Sequence, residues 1–279
     1  MLPYIYANAG VMENSGFEVL LNAQIAKNNN FSWNTTLTGA YNKNKVISIT
    51  SDQFKGSAVG ITDVGVGQTQ RIAAGYSLGE FYGRKFAGFN DDGQWLFLNQ
   101  AGEAVTADEA GESYSYLGSG LPKYNLGLTN SFKYKNFDAT MLFRAALGFK
   151  ALNAKRIFHE NLNNLSTTNL FVSALDNPIR DQMVFSDYYL EKGDYLKLDN
   201  LTIGYSIPVK SKGYLKSVRL YGTVTNVFTI TSFSGTDPEL PLNINLLGEE
   251  EFTTGPGVEA NYSYYPYTRT FTFGVTVGF

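Results

Sequence analysis

The side chains with chemistry to offer are few. The only histidine, His159, has no serine or cysteine motif around it, so no nucleophile–base arrangement can be built on it, and a lone histidine needs carboxylate help to hold a zinc ion. It reads as a solvated loop residue. Asp91-Asp92-Gly93 has the opening of a calcium loop without the later acidic positions and reads as a tight turn. Asp237-Pro238-Glu239 and Glu249-Glu250-Glu251 share one long connection. There the acidic groups cap a strand end, bind an ion or face a partner protein, with the structural role leading. No catalytic, cofactor or metal site is expected, and no enzyme.

The elements that must position these groups are strands. From Phe17 to Ile25 the odd positions are Phe, Val, Leu, Ala and Ile, with Glu18, Asn22 and Gln24 between them. The same period of two runs through Phe31–Tyr41, Tyr124–Tyr134, Phe137–Ala145, Tyr195–Ser206, Val218–Phe228 and Thr268–Phe279, the mark of strands with two different faces. In Tyr195–Ser206 the phase slips: Leu196 and Leu198 are apolar, then Leu201, Ile203 and Tyr205. A slip of one near Asp199-Asn200 predicts a β-bulge. Helical periodicity is scarce, with Ala151–Leu165 the one candidate for a short loop helix.

Connections give the second signal. Lys27–Asn30, Asp91–Gln94, Lys135-Asn136 and Pro208–Lys216 are short or moderate, whereas Ser48–Gly75, Asn99–Lys123, Lys150–Asp194 and Thr229–Tyr267 are long. Alternating short turns and long loops are what outer-membrane barrels show. Keeping the alternation requires Trp95–Leu98 as a short strand, and the count comes to about nine strands. An odd count leaves two open sheet edges, which lipid does not tolerate. This predicts a missing N-terminal portion, as does Met1-Leu2-Pro3-Tyr4, which lacks the parts of a signal peptide.

Composition agrees. With a net charge of -3 the chain has no basic field for nucleic acid, and without cysteine it has no disulfide framework. Hydrophobic residues are 43%, but no stretch approaches the roughly 20 apolar residues of a membrane helix. Aromatic residues reach 15%, what a barrel needs at the lipid interfaces, although a tyrosine-rich sandwich shares that composition.

The last strand alternates Phe271, Phe273, Val275, Val277 and Phe279 with Thr272, Gly274, Thr276 and Gly278. A terminal aromatic Phe279 with Val277 two before it, Gly274 five before it and Thr272 on the polar face resembles the signal read by the barrel-assembly machinery, which works by strand addition. Asn8-Ala9-Gly10-Val11-Met12-Glu13-Asn14-Ser15-Gly16-Phe17-Glu18 resembles the opening of a late barrel strand in SusC-like (RagA-type) TonB-dependent transporters. The segments Tyr76–Gly83, Gly120–Tyr124, Gly193–Tyr205, Ser234–Glu239 and Tyr265–Phe279 resemble further stretches of that family, in its order and over nearly the whole chain. The resemblance implies an all-β, antiparallel transmembrane β-barrel of the 22-stranded class, with residues 1–279 as its C-terminal portion. It implies a place in the outer membrane of a Gram-negative cell, a SusD-like surface lipoprotein as lid, glycan or peptide substrates, and energy through the TonB complex. The plug domain and TonB box have no counterpart here, so the chain is not expected to transport alone.

In such a barrel the inward polar residues tune selectivity. Candidates are Glu18, Asn22, Asp138, Arg144, Lys197, Asp199, Arg219 and Tyr221, with a plain lumen-wall network as the competing role. Loop tyrosines Tyr114, Tyr116, Tyr188, Tyr189, Tyr262 and Tyr264 fit sugar stacking, a lid interface or the lipid girdle equally. Three architectures accommodate the pattern. A transporter barrel leaves the apolar faces as one belt exposed to lipid. A soluble β-sandwich, carbohydrate-binding or adhesin-like, packs those faces on each other. A small self-contained barrel enzyme needs an even strand count and a catalytic cluster.

Overall fold

The structure is a computed structural model that describes residues 8, 10–49, 58–59, 68–166, 168–209, 214–240, 255–259 and 266–279. Seven long strands form one sheet in chain order: β1 (Gly10–Lys27), β2 (Phe31–Ile49), β3 (Tyr124–Tyr134), β4 (Phe137–Leu147), β5 (Tyr195–Ile207), β6 (Ser217–Thr231) and β7 (Thr270–Gly278). Every neighbouring pair is antiparallel. Among the described residues no helix is long and apolar enough to cross a membrane.

Among the described residues the wall has seven strands rather than about nine. Trp95–Leu98 is a strand, but it pairs with Phe86–Phe89 and Ala104–Thr106, away from the wall. Four residues span about 13 Å, too little to cross a bilayer. Among the described residues between β2 and β3 none joins the wall, and the alternation of connections becomes stricter. The β1–β2, β3–β4 and β5–β6 turns lie at one end of the sheet, and three long loops lie at the other.

Local chemistry fixes the turns. Asn28 Oδ1 accepts from the backbone N–H groups of Asn30 and Phe31 at 2.9 and 2.8 Å, a side-chain mimic of a backbone turn. In the two-residue β3–β4 turn Lys135 takes φ 51°, the positive φ that tight hairpins demand. The predicted bulge is present: against β4, Leu198 lies opposite Phe143 and Asn200 opposite Leu142, so Asp199 is the extra residue, while on β6 Asn226 and Val227 stand opposite that single residue. It keeps Leu201, Ile203 and Tyr205 on the apolar face, because a shift of one residue exchanges the two faces.

Register then settles the architecture. The cross-strand row Leu21, Leu37, Leu128 and Phe143 lies on one face, as does the row Ile203, Gly222 and Phe273. These side chains are open to the surroundings: Leu21 is 56% exposed, Ile203 54% and Phe273 84%. The belt is one continuous apolar surface, which overturns the sandwich expectation, since no second sheet among the described residues covers it. Aromatic rows bound it. Toward the turns stand Phe31, Tyr134, Phe137 and Tyr205, with the last two rings 4.6 Å apart. Toward the loops stand Phe17, Tyr41 and Tyr124, with rings 5.6 and 5.2 Å apart. About ten residues separate Phe31 from Tyr41, roughly 33 Å of strand, or about 25 Å of height at a 40° tilt. That is the height of the apolar band in an outer-membrane barrel, with its aromatic girdles. The wall is part of an antiparallel transmembrane β-barrel.

The buried core lies elsewhere. The long loops fold together over the wall's end into a cap whose buried cluster includes Phe81, Trp95, Phe97, Leu152, Ile157, Ile179, Tyr189 and Val258, with no wall residue among them. Lys150–Asn153 pairs antiparallel with Leu190–Lys192 and parallel with Val258–Glu259, tying the second loop to the third. The expected loop helix is present but short, Ala154–His159, followed by a 3-10 turn at Leu162–Asn164.

Candidate functional site

The face opposite the belt is polar across the whole sheet. Its central row reads Asn22, Thr36, Thr129, Leu142 and Asn200, and the row Thr202, Thr223 and Thr272 continues it. All of the sequence-derived inward candidates lie on this face or at its bulge, and they separate into groups.

Glu18 and Asn22 stand alone on β1. Asn22 Oδ1 accepts from the Thr36 hydroxyl at 2.7 Å, and Glu18 makes no salt bridge among the described residues. Asp138 and Arg219 form a bidentate pair across β4, β5 and β6, with Nε donating to Oδ1 at 2.9 Å and Nη2 to Oδ2. Gly204 lies between them, and a Cβ there would collide with the guanidinium. The glycine makes the pair possible. The guanidinium sits 5.1 Å from the Tyr221 ring centroid, and Tyr221 in turn covers Gly274, where a Cβ would strike the phenol ring. Gly274 thus has a packing reason of its own. Thr272 shares its polar face, while Val277 lies on the apolar face and Phe279 is exposed.

Arg144, Lys197 and Asp199 belong to a second cluster at the loop end, completed by the acidic motif of the last long loop. Arg144 donates from Nε to Asp199 at 2.8 Å and from Nη1 to Glu239 at 2.9 Å. Lys197 donates to Asp237 at 2.8 Å and to Glu239 at 3.0 Å, under the Tyr267 ring at 4.9 Å. Three carboxylates face two cations. Lys197 is only 2% exposed, so it is an anchor for the loop rather than an open lumen group. Burial alone would raise the pKa of Glu239, but hydrogen bonds from Arg144 and Lys197 outweigh it and hold the carboxyl below its ordinary range. Asp237 and Glu239 therefore serve the structural role expected of them.

The other candidates resolve simply. His159 Nδ1 donates to the Asn169 carbonyl at 2.6 Å, and its ring lies 5.1 Å from Phe171, a packed loop residue more than a solvated one. Asp91-Asp92-Gly93 is a turn held by Asn90, whose Oδ1 accepts from the N–H groups of Asp92 and Gln94. No group of metal-ligating residues occurs among the described residues. Tyr188 packs on Phe86 at 4.9 Å and Tyr189 is fully buried, so neither offers a ring to a sugar. Tyr114 and Tyr116 continue a stack with Tyr76 and Tyr82, Tyr76 and Tyr116 lying 3.5 Å apart. Tyr262, Tyr264 and Glu249-Glu250-Glu251 lie outside the described residues.

Sequence reasoning missed the clamps between loops. Lys155 donates to Glu259 at 2.8 Å and to Thr236 at 2.6 Å. Arg156 bridges Glu160 and Glu191 at 3.0 and 3.1 Å. Only Lys155 joins two loops, and with Glu259 lying 104 residues away no local spacing announces it, whereas Arg156 and Glu160 are an i,i+4 pair within one loop.

No family model matches the chain. Among curated proteins it is 30% identical over 303 residues to TonB-dependent receptor P3 of Formosa agariphila, covering 98% of this chain and 29% of that protein. It is 28% identical over 296 residues to TonB-dependent receptor SusC of Bacteroides thetaiotaomicron, covering 98% of this chain and 27% of that protein. The chain thus spans under a third of the length of the relatives it matches. Among solved structures, the RagAB peptide transporter superposes with a TM-score of 0.71 at 20% identity over 98% of this chain and 30% of that one. The RagAB peptide importer in its closed-closed state gives 0.72 at the same identity. These superpositions match the barrel wall and its loops in fold. Over nearly all of its length the chain is similar in sequence to TonB-dependent receptors, SusC among them.

Proposed function

We propose that the chain forms part of the wall and mouth of an outer-membrane nutrient importer driven through TonB. The observation that carries this reading is the exposed apolar belt, about 25 Å high between two aromatic rows, with a polar face behind it. In this reading the polar face lines the lumen. The Asp138–Arg219 pair and Tyr221 present fixed charge and a ring to passing solute, Glu18 presents a carboxylate with no salt bridge among the described residues, and the Arg144–Lys197 cluster holds the last loop over the mouth. The substrate class is glycan or peptide. The peptide member of that class is supported by the fold shared with the RagAB peptide transporter, and the glycan member rests on the resemblance alone. A SusD-like surface lipoprotein is the expected lid and the TonB complex the expected energy source, since both accompany the family.

The test is partition and uptake in source cells. The polypeptide carrying Phe279 should fractionate with the outer membrane, require detergent for extraction, and co-purify with a surface lipoprotein. Deleting its gene should abolish uptake of one glycan or peptide class. A detergent-free, monodisperse protein would sink the membrane reading, and unchanged uptake across both classes would sink the import reading.

A further inference from the structure

The loop end of the wall carries a cleft of about 560 Å³ that no part of the lumen reading uses. Five lysines line it: Lys43, Lys45, Lys123, Lys150 and Lys192. Glu80 and Asp194 are its only carboxylates, and both accept hydrogen bonds from neighbours, Glu80 from Ser77 at 3.0 Å and Asp194 from the Gly148 N–H at 2.6 Å. Five positive charges against two negative leave the cleft at +3. Among the described residues none of the five ammonium groups is in a salt bridge. Lys150 and Lys192 are direct cross-strand partners, an arrangement of like charges that destabilises a sheet. Glu13 lies opposite Lys45 across β1 and β2 but does not line the cleft.

Position says which anion. By the pleat of β2, Lys43 and Lys45 continue the lipid-facing row of Leu37 and Tyr41. They stand roughly 7 and 13 Å of strand beyond the Tyr41 girdle, or about 5 and 10 Å of height. The headgroup layer outside a 30 Å hydrocarbon core is about 5–8 Å thick. Lys43 and Lys45 therefore begin where acyl chains end, with Tyr41 and Tyr124 closing the apolar side below them, and Lys123, next to Tyr124 in the chain, stands at the same level. A cleft for a dissolved anion has no reason to continue the lipid-facing row, whereas basic pockets at headgroup level are how membrane proteins hold phosphorylated lipids.

We propose that this cleft binds the phosphorylated headgroup of a lipid in the loop-side leaflet, with the acyl chains lying along the belt below Tyr41 and Tyr124. The proposal rests on the membrane-wall reading above. In the outer membrane that leaflet supplies a phosphorylated glycolipid, and the site is a fixed lipid seat beside the importer's mouth.

The experiment uses the detergent-solubilised protein purified from outer membranes. Native mass spectrometry would follow retention of lipopolysaccharide, phosphatidylglycerol and phosphatidylcholine, with inorganic phosphate as competitor. At about a factor of five per surface lysine, the triple variant Lys43→Gln, Lys45→Gln, Lys123→Gln should bind the glycolipid roughly a hundredfold more weakly. The corresponding three Lys→Arg changes should retain it. Lys27→Gln, Lys133→Gln, Lys135→Gln, at the turn end of the wall, should leave retention unchanged. Heat-modifiable gel mobility confirms that each variant is a folded barrel. Equal retention by the cleft variant and the unchanged protein overturns the proposal. So does a loss shared with the turn-end variant, and so does full displacement by millimolar inorganic phosphate, which would make the site one for a free anion. Failure to require detergent at all would defeat the membrane-wall reading instead, and the two failures are thereby distinguishable.

Discussion

The wall and the cap bury apolar side chains in opposite ways. In the wall, Leu21, Ile203, Phe273 and Val275 point outward with more than half of their surface open, and nothing among the described residues covers them. In the cap, Trp95, Phe97, Phe81 and Tyr189 are fully enclosed, with the Trp95 indole N–H donating to the Gln182 carbonyl at 3.0 Å. The cap is packed as a water-soluble protein is, around an aromatic core. The wall is packed for a solvent that is itself apolar. Two solvents thus act on one chain, and the aromatic row at Tyr41 and Tyr124 marks where one gives way to the other.

The largest effect should come from the cap. Trp95→Ala removes its central ring and should cost about 3–5 kcal/mol. Limited proteolysis should then cut within residues 68–123 while the seven-stranded wall keeps its heat-modifiable mobility. Loss of both together would mean that cap and wall are one cooperative unit, and the contrast drawn above would fail. In the wall the sign of the substitution matters more than its size. Leu128→Arg, in the middle of the belt, should cost about 2–4 kcal/mol in a lipid-vesicle folding titration. Thr129→Arg, one residue away on the polar face, should cost far less. Equal costs would remove the lipid-facing assignment.

This division also explains what the sequence made legible. A strand with different solvents on its two faces must alternate, so Phe17–Ile25 and Tyr124–Tyr134 declared themselves, and even the bulge at Asp199 appeared as a phase slip. Trp95–Leu98 reads Trp-Leu-Phe-Leu, apolar at every position, and that pattern carries no face and hence no address. It took its place in the cap because Trp95 and Phe97 needed a core, which only folding of three distant loops supplies. Of the candidate site, Arg144, Lys197, Arg219 and Asp138 were legible as inward polar residues. Their partners were not, because a lysine on β5 meeting carboxylates 40 and 42 residues later leaves no periodic trace.

The seam between the two regions is the Arg144–Lys197 cluster. Asp237→Asn should weaken it by about 2 kcal/mol, below the roughly 3–5 of a fully stranded buried charge, because Glu239 still meets Lys197. Glu239 gives the seam a pH response. Its folded pKa lies below the ordinary carboxylate value of 4.5, so its stabilising contribution is complete above that value and is lost as pH falls through the lower, folded pKa. Protease cleavage of the last loop should be flat from about pH 7 to 5 and should rise only below about pH 4. Glu239→Gln should be cut more readily at neutral pH and should lose most of that rise.

The smallest effect belongs to the turn end, farthest from the cap. Lys135 holds φ 51°, a conformation that costs a residue with a Cβ about 1 kcal/mol and glycine almost nothing. Lys135→Gly should therefore stabilise the β3–β4 hairpin by up to about 1 kcal/mol in the vesicle titration, offset in part by the greater freedom of glycine in the unfolded chain. Cap proteolysis should not change, since Lys135 lies one full strand length from the loops. A cap that tightened with this substitution would show that hairpin strain reaches the mouth through the wall, and the two regions would no longer be separable by the girdle that divides their solvents.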